Sequence, residues 1–240
     1  MARYYTPDGL QVPRLYAHIL EQEHALIAGT TGAGKSTAMA GIIYTAIALH
    51  SPARTQFVLI DPKRVDLKRF KDLPHTIRHA TETADIVATL QDVAALVDKR
   101  YQAMSMTGAT LYNGTDVYVI IDELAFMTLT MKNAVFPTLQ KILTTGRASK
   151  VHILAATQCP LTSVLPTPLK CCMPARLGLR TVSAQDSRNI LGIKGCESLP
   201  QHGRGIYLSS TGYSAVTVPM IPDSDIAALI SYWNSPACIA

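Results

Sequence analysis

The stretch GTTGAGKS, Gly29 to Ser36, limits the folds open to this chain more than any other feature. It fits the pattern GxxxxGK[ST], which chance would produce in about one percent of chains this long. An apolar run, HALIAG at 24–29, precedes it, and a helical stretch from about Lys35 to His50 follows. Strand, glycine-rich turn and helix in that order make a phosphate cradle. Gly29, Gly32 and Gly34 let the backbone wrap closely around an anion with its N–H groups turned inward. The helix N-terminus adds the positive end of its dipole. Lys35 is expected at the β- and γ-phosphates and the Ser36 hydroxyl on Mg²⁺, with Thr30, Thr31 and Ala33 completing the loop and Thr37 at the α-phosphate. ATP and Mg²⁺ are the expected ligands.

Strand-like and helical runs alternate through the rest of the chain. TQFVLID (55–61), VYVIID (117–122), VHILAATQ (151–158) and ARLGLRT (175–181) are almost continuously apolar. That is the pattern of strands covered on both faces of a parallel sheet. Ile86, Leu90, Val93, Val97, Tyr101 and Met104 recur at spacings of three and four, which predicts an amphipathic helix with this stripe in the core. GRGIYLSS and SAVTVPMI read as a hairpin, and PDSDIAALISYW as a short closing helix. The predicted fold class is α/β: a mostly parallel sheet flanked by helices, with a C-terminal hairpin and helix. No linker rich in Pro, Gly or Ser divides residues 1–240, so one domain is expected, its core at about 15–234.

Hydrophobic residues form 48% of the chain and charged residues 16%, which excludes a disordered chain. Aromatics are only 6%, so the core must rest on Ala, Val, Ile and Leu. The net charge of +5 suits a polyanionic partner or an evenly basic surface. Cysteines stand at 159, 171, 172, 196 and 238 with no CxxC pair, and no secretory signal is visible; reduced thiols in the cytoplasm are expected. The apolar stretch AMAGIIYTAIAL is too short to cross a bilayer, so a membrane role would require a partner protein. The histidines have no metal-ligand spacing.

Two apolar runs end in an acid. FVLID ends in Asp61 and is followed by PKRVDLKRF; VYVIID ends in Asp122 and is followed at once by Glu123. A phosphoryl-transfer site needs one acid for the metal and a group that orients the attacking water. Only the second run supplies both, which assigns Asp122 to the metal and Glu123 to the water.

LIDPKRVDLKRF…LPH (59–75) resembles the segment after the second strand in the FtsK and SpoIIIE double-stranded DNA translocases. KRYQAMSMTGATLYN (99–113), VIIDELAFM (119–127), TTGRASKVHILAATQCP (144–160), ARLGLRTVSAQDSRNILG (175–192) and LPQHGRGIYL (199–208) resemble further blocks of that family in the same order. The resemblance covers about residues 15 to 234. It implies a RecA-like P-loop NTPase core, with the run ending in Asp61 as a family signature beside the phosphate-loop strand. Asp61 and Lys63 are then expected near the ligand crevice. Lys63, Arg64, Lys68, Arg69 and Lys71 form a basic cluster that faces DNA, a neighbouring subunit or only solvent.

The resemblance implies further roles. Gln158 would sense the γ-phosphate. The family works as homo-oligomeric rings, usually hexameric, in which a neighbour's arginine enters the site; Arg147 in TGRAS and Arg188 in QDSRN are the candidates. Pore loops would contact the backbone of double-stranded DNA, with Lys132 in TLTMKNAVF and Lys170 in CPLTSVLPTPLKCCMPAR as candidates. The family's preceding subdomain, membrane region and winged-helix module are not recognisable here, which makes this a minimal form. Such a core is expected in genome packaging of a virus or in conjugative DNA transfer of a mobile element. A protein-export ATPase and a partner-activated nucleotide switch are the alternatives.

Overall fold

The computed structural model describes residues 3–5 and 11–235. Cys238 lies outside them. A short antiparallel pair, β1 (Arg3–Tyr5) and β2 (Gln11–Pro13), leads into α1 (Arg14–Leu20). The main sheet is then laid down by β3 (Ala25–Ala28), β4 (Thr55–Ile60), β5 (Thr76–Ala80), β6 (Asp116–Ile121), β7 (Val151–Thr157), β8 (Ala175–Leu179), β9 (Arg204–Ser209) and β10 (Gly212–Thr217). Its order is β10-β9-β8-β3-β7-β6-β4-β5. From β8 to β5 every neighbouring pair is parallel, and in this sheet only the β8–β9 and β9–β10 pairings are antiparallel. The predicted C-terminal hairpin is thus an antiparallel extension of a parallel sheet.

Both faces are covered, which is why the central strands carry no polar alternation. On one face, Ala25 and Ile27 of β3, Phe57 and Leu59 of β4 and Leu154 of β7 pack against α1, α2 (Lys35–Leu49) and α8 (Asp223–Trp233). On the other, Leu26, Val58, Ile60, Val119, Ile121 and Ile153 meet α3 (Thr83–Thr107), α4 (Leu124–Thr130), α5 (Lys132–Ser149), α6 (Thr167–Cys171) and α7 (Ala184–Leu191). The α3 stripe is buried as expected at Ile86, Leu90, Val93, Val97 and Met104. Tyr101 departs from it. It lies at the edge of the buried stripe, 38% exposed, and its hydroxyl donates to the Thr145 carbonyl at 3.1 Å.

Two glycines set close approaches. A Cβ on Gly41 of α2 would lie 2.2 Å from the ring of Tyr16, so α1 seats its fully buried tyrosine where α2 has no side chain. A Cβ on Gly146 would lie 2.2 Å from the Val151 carbonyl oxygen, which explains the glycine of TGRAS as the point where α5 turns tightly into β7.

The sheet order corrects one expectation. The strand ending in Asp61, β4, is not beside β3; β7 and β6 lie between them. The strand flanking β3 on that side is β7, which ends at Thr157, just before Gln158. Crossover connections let β7, late in sequence, insert next to the phosphate-loop strand, and no local pattern records that insertion. The segment after β6 is also not a loop. It folds as α4, a break at Met131, and α5 beginning at Lys132.

Candidate nucleotide site

All the acids and amides singled out above emerge at the carboxyl edge of the parallel strands, where α/β sheets bind ligands. The loop from Gly29 leaves β3 and enters α2 at Gly34. Gly32 and Gly34 take φ of +76° and +107°, which side chains rarely adopt. Gly29 is required by space, since a Cβ there would lie 2.8 Å from Leu179 Cβ. Neighbouring elements brace the loop. Thr30 N–H donates to the Arg180 carbonyl at 2.8 Å, and His202 Nδ1–H donates to the Gly32 carbonyl at 3.0 Å. Arg180 and His202 carry no sequence signal for this role, because they follow β8 and precede β9, next to the loop in the sheet but distant from it along the chain.

Lys35 is folded back into its own loop, donating to the carbonyls of Gly29 at 2.7 Å and Thr30 at 2.8 Å. Burial pushes its ammonium down to about 8, against the opposing pull of the Glu123 and Asp122 carboxylates. Ser36 Oγ donates to Asp66 Oδ2 at 2.8 Å. Thr31 Oγ1 donates to Gln158 Oε1 at 2.8 Å.

Asp122 and Glu123 follow β6, and both are buried. Burial, reinforced by the carboxylates of Asp66 and Asp61, pushes the Asp122 carboxyl up to about 7. Its Oδ2 is buried without a hydrogen-bond partner. Glu123 is fully engaged. Its Oε1 accepts from Ala125 N–H (3.3 Å), Thr157 Oγ1 (3.0 Å) and Gln158 N–H (3.1 Å), and its Oε2 lies 3.1 Å from Lys63 Nζ.

Asp61 turns out to organise its own loop. Its fully buried carboxylate accepts from the N–H groups of Val65 at 3.4 Å and Leu67 at 3.2 Å. That fold carries Asp66 to Ser36 and Lys63 to Glu123. Asp66 was missed in the sequence, where it is one acid in a run of mixed charges. The other basic residues of this run are mostly paired: Arg64 with Glu82, Arg69 with Asp223 at 2.7 Å, and Lys71 with Asp72 at 3.9 Å.

Thr31, Gly32, Gly34, Lys35, Ser36, Thr37, Lys63, Asp66, Asp122 and Gln158 surround one cavity of about 360 Å³. A second cavity, about 500 Å³, shares Ser36, Thr37, Val65 and Asp66 with it and continues to Ala40, Arg69 and the 220–226 segment. The first has donors and acids for a triphosphate. The second has the apolar walls a nucleoside needs, in Ala40, Val65, Met220, Ile221 and Ile226. A divalent cation fits the donor set as well. Ser36, Asp66 and the unpartnered Asp122 oxygen offer hard oxygen ligands, and a cation would relieve the crowding of two carboxylates. Among the described residues no group of three or more His, Cys, Asp or Glu could hold a metal.

The two arginines are not brought to these cavities. Arg147 ends α5 at the opposite, amino edge of the sheet, largely exposed, with Glu23 2.8 Å away. Arg188 is exposed on the last turn of α7. Lys170 Nζ donates to the Asn189 carbonyl at 3.2 Å. The four described cysteines are free. Among the described residues no helix is long and apolar enough to cross a membrane.

Sheet order, phosphate loop and paired acids define a P-loop ATPase fold. Residues 8–116 match the family model described as FtsK/SpoIIIE and carry a domain of that type. DNA translocase FtsK of Listeria monocytogenes is 28% identical over 240 residues, spanning 91% of this chain and 32% of that protein. The chain therefore spans about a third of the length of such relatives. Among solved structures, the cytoplasmic domain of the type VII secretion ATPase EccC from Thermomonospora curvata superposes with a TM-score of 0.74 at 22% identity, covering 95% of this chain and 30% of that one. The pCW3 conjugation coupling protein TcpA, with ATPγS, gives 0.76 at 17% identity, covering 93% and 67%.

Proposed function

We propose that this chain is the motor of an ATP-driven double-stranded DNA translocase. The observation that carries the reading is the convergence of Lys35, Ser36, Asp122 and Gln158 on one cavity, with Glu123 directly behind it. A site built only to hold nucleotide has no need of a buried carboxylate at this position. The relatives named as DNA translocases support DNA as the partner.

In this reading ATP lies with its phosphates on residues 29–37 and its nucleoside in the adjoining cavity. Lys35 exchanges its two carbonyl partners for phosphate oxygens. Ser36 and Asp122 would hold Mg²⁺, with Asp66 beside them. A divalent ion held there would supply neutralisation of the charge that builds up on the phosphates. Glu123 orients water and takes its proton. Gln158, which both meets Thr31 and holds Glu123 through its N–H, reports the state of the γ-phosphate to the sheet. Residues of about 15–234 act as one motor domain in a homo-oligomeric ring. There Arg147 or Arg188 of a neighbour offsets charge on the transferred group. The ring would serve DNA transfer by a mobile element or packaging of a viral genome.

The test is the ATPase rate with and without long duplex DNA at fixed salt, with Lys35→Ala as the blank. Stimulation by duplex supports the motor. Robust turnover indifferent to duplex sinks it in favour of a protein-export ATPase, the reading that the likeness to EccC supports. Slow turnover indifferent to duplex favours a nucleotide switch.

A further inference from the structure

We infer that Lys63 is a positioning residue that restrains Glu123, so that turnover requires this ammonium to be drawn off the carboxylate. The inference rests on the ATPase reading above and names how that same site is regulated.

The argument begins with the two oxygens of Glu123. Oε1 is saturated by donors that belong to the fold: the N–H of Ala125 in the first turn of α4, the hydroxyl of Thr157 at the end of β7, and the N–H of Gln158 just beyond it. These fix the carboxylate in place. Oε2 is the oxygen left to accept a proton from water. Besides a long contact from Gln158 N–H at 3.4 Å, its partner is Lys63 Nζ at 3.1 Å. An ammonium seated on Oε2 competes with the attacking water for the same acceptor oxygen. General-base catalysis is correspondingly slowed.

The pair is unequal in burial. The Glu123 side chain is 8% exposed and that of Lys63 is 41% exposed. Lys63 can therefore leave toward solvent or toward another anion, whereas Glu123 cannot follow it. The loop that carries Lys63 is built for this. It is anchored by Asp61 inside, passes through Arg64 in the left-handed region at φ +59°, and exposes Val65 at its tip. Displacing that tip moves Lys63 without disturbing the Oε1 donors, which sit on other elements. Lys63 also borders the triphosphate cavity, so a role as a phosphate ligand is the competing account, and the two predict opposite effects.

The experiment compares Lys63→Met and Lys63→Arg with the wild type, reading basal ATPase, duplex-stimulated ATPase and the affinity for a fluorescent non-hydrolysable ATP analogue. If Lys63 restrains Glu123, Lys63→Met raises the basal rate by about 5-fold or more, since general-base catalysis is worth orders of magnitude. Stimulation by duplex shrinks correspondingly, and analogue affinity stays within about 2-fold. Lys63→Arg, which keeps the ion pair, keeps the low basal rate. Adding Glu123→Gln to Lys63→Met removes the gain. A basal rate of Lys63→Met equal to or below wild type overturns the inference, as does Lys63→Arg behaving like Lys63→Met. A lower rate together with weaker analogue binding makes Lys63 a phosphate ligand instead. Absence of turnover in the wild type sinks the ATPase reading itself. An unchanged or lower Lys63→Met rate beside an active wild type sinks the restraint alone.

Discussion

Thr31 in the phosphate loop donates its hydroxyl to Gln158 Oε1 at 2.8 Å, across the boundary between β3 and β7. The backbone N–H of the same glutamine holds Glu123 at 3.1 Å. One residue thus links the loop that would carry the γ-phosphate to the carboxylate that would orient water. A phosphate oxygen competing for the Thr31 hydroxyl would free the Gln158 amide to follow it.

Replacing Gln158 by Leu should therefore leave nucleotide binding within about 3-fold of wild type while lowering kcat by about 10-fold or more, the signature of an interaction made only on the way to the transition state. Single-turnover kinetics with radiolabelled ATP would check it. A larger loss of affinity than of kcat would place Gln158 in ground-state binding.

Glu123→Gln keeps the side chain's shape and most of its hydrogen bonds but removes the base. Turnover should fall by about 10²–10⁴ with nucleotide binding intact. Isolated protein should retain unhydrolysed ATP, which mass spectrometry of the released nucleotide would detect. Hydrolysis at the normal rate removes Glu123 from the chemistry.

Lys35 has its pKa pushed down to about 8 by burial. Without ligand its ammonium is charged below that pH and neutral above it. Affinity for a non-hydrolysable ATP analogue should fall as pH rises from 7.5 to 9.5, and Lys35→Met should bind weakly throughout with no such slope. Titration calorimetry at fixed salt reads both.

The Asp122 carboxyl, pushed up to about 7, makes the stability of the fold depend on pH as well. A raised carboxyl pKa means that the folded state holds its proton more tightly than the unfolded state does. The free protein is favoured at low pH and loses that contribution as pH rises from about 4 through 7. The melting temperature of the nucleotide-free protein should fall over that range by more than that of Asp122→Asn. Adding Mg²⁺ at pH 8 should recover part of the loss in wild type alone. At this chain length about 1 kcal/mol moves the midpoint by about 2–4 °C.

Gly41→Ala adds a methyl group within 2.2 Å of the Tyr16 ring. Helix propensity alone would make the change stabilising by about 1 kcal/mol. Overpacking of a fully buried site costs about 1–3 kcal/mol and should win. The expected result is a lower melting temperature, largely restored when Tyr16 is replaced by Leu in the same chain.

Local chemistry wrote much of this protein openly. Glycines at 29, 32 and 34 before a lysine and a serine can hardly form anything but an anion cradle. Apolar runs without alternation announced a sheet covered on both faces. The Asp122–Glu123 pair stood at a strand end for the same reason. What could not be read locally is anything fixed by strand order. Asp61 ends an apolar run just as Asp122 does, yet it is spent on folding its own loop, and the acid delivered to Ser36 is Asp66. The nearness of Gln158 to Thr31 depends on β7 entering the sheet beside β3 after more than a hundred intervening residues. Lys63 meets Glu123 because β4 and β6 are neighbours. Periodicity and propensity act over a few residues, and so the sequence alone determined the cradle, the strands and the helices. Pairings between distant segments are selected by burial of the whole sheet between two helical layers, and only that packing decided which polar groups face one another across the site.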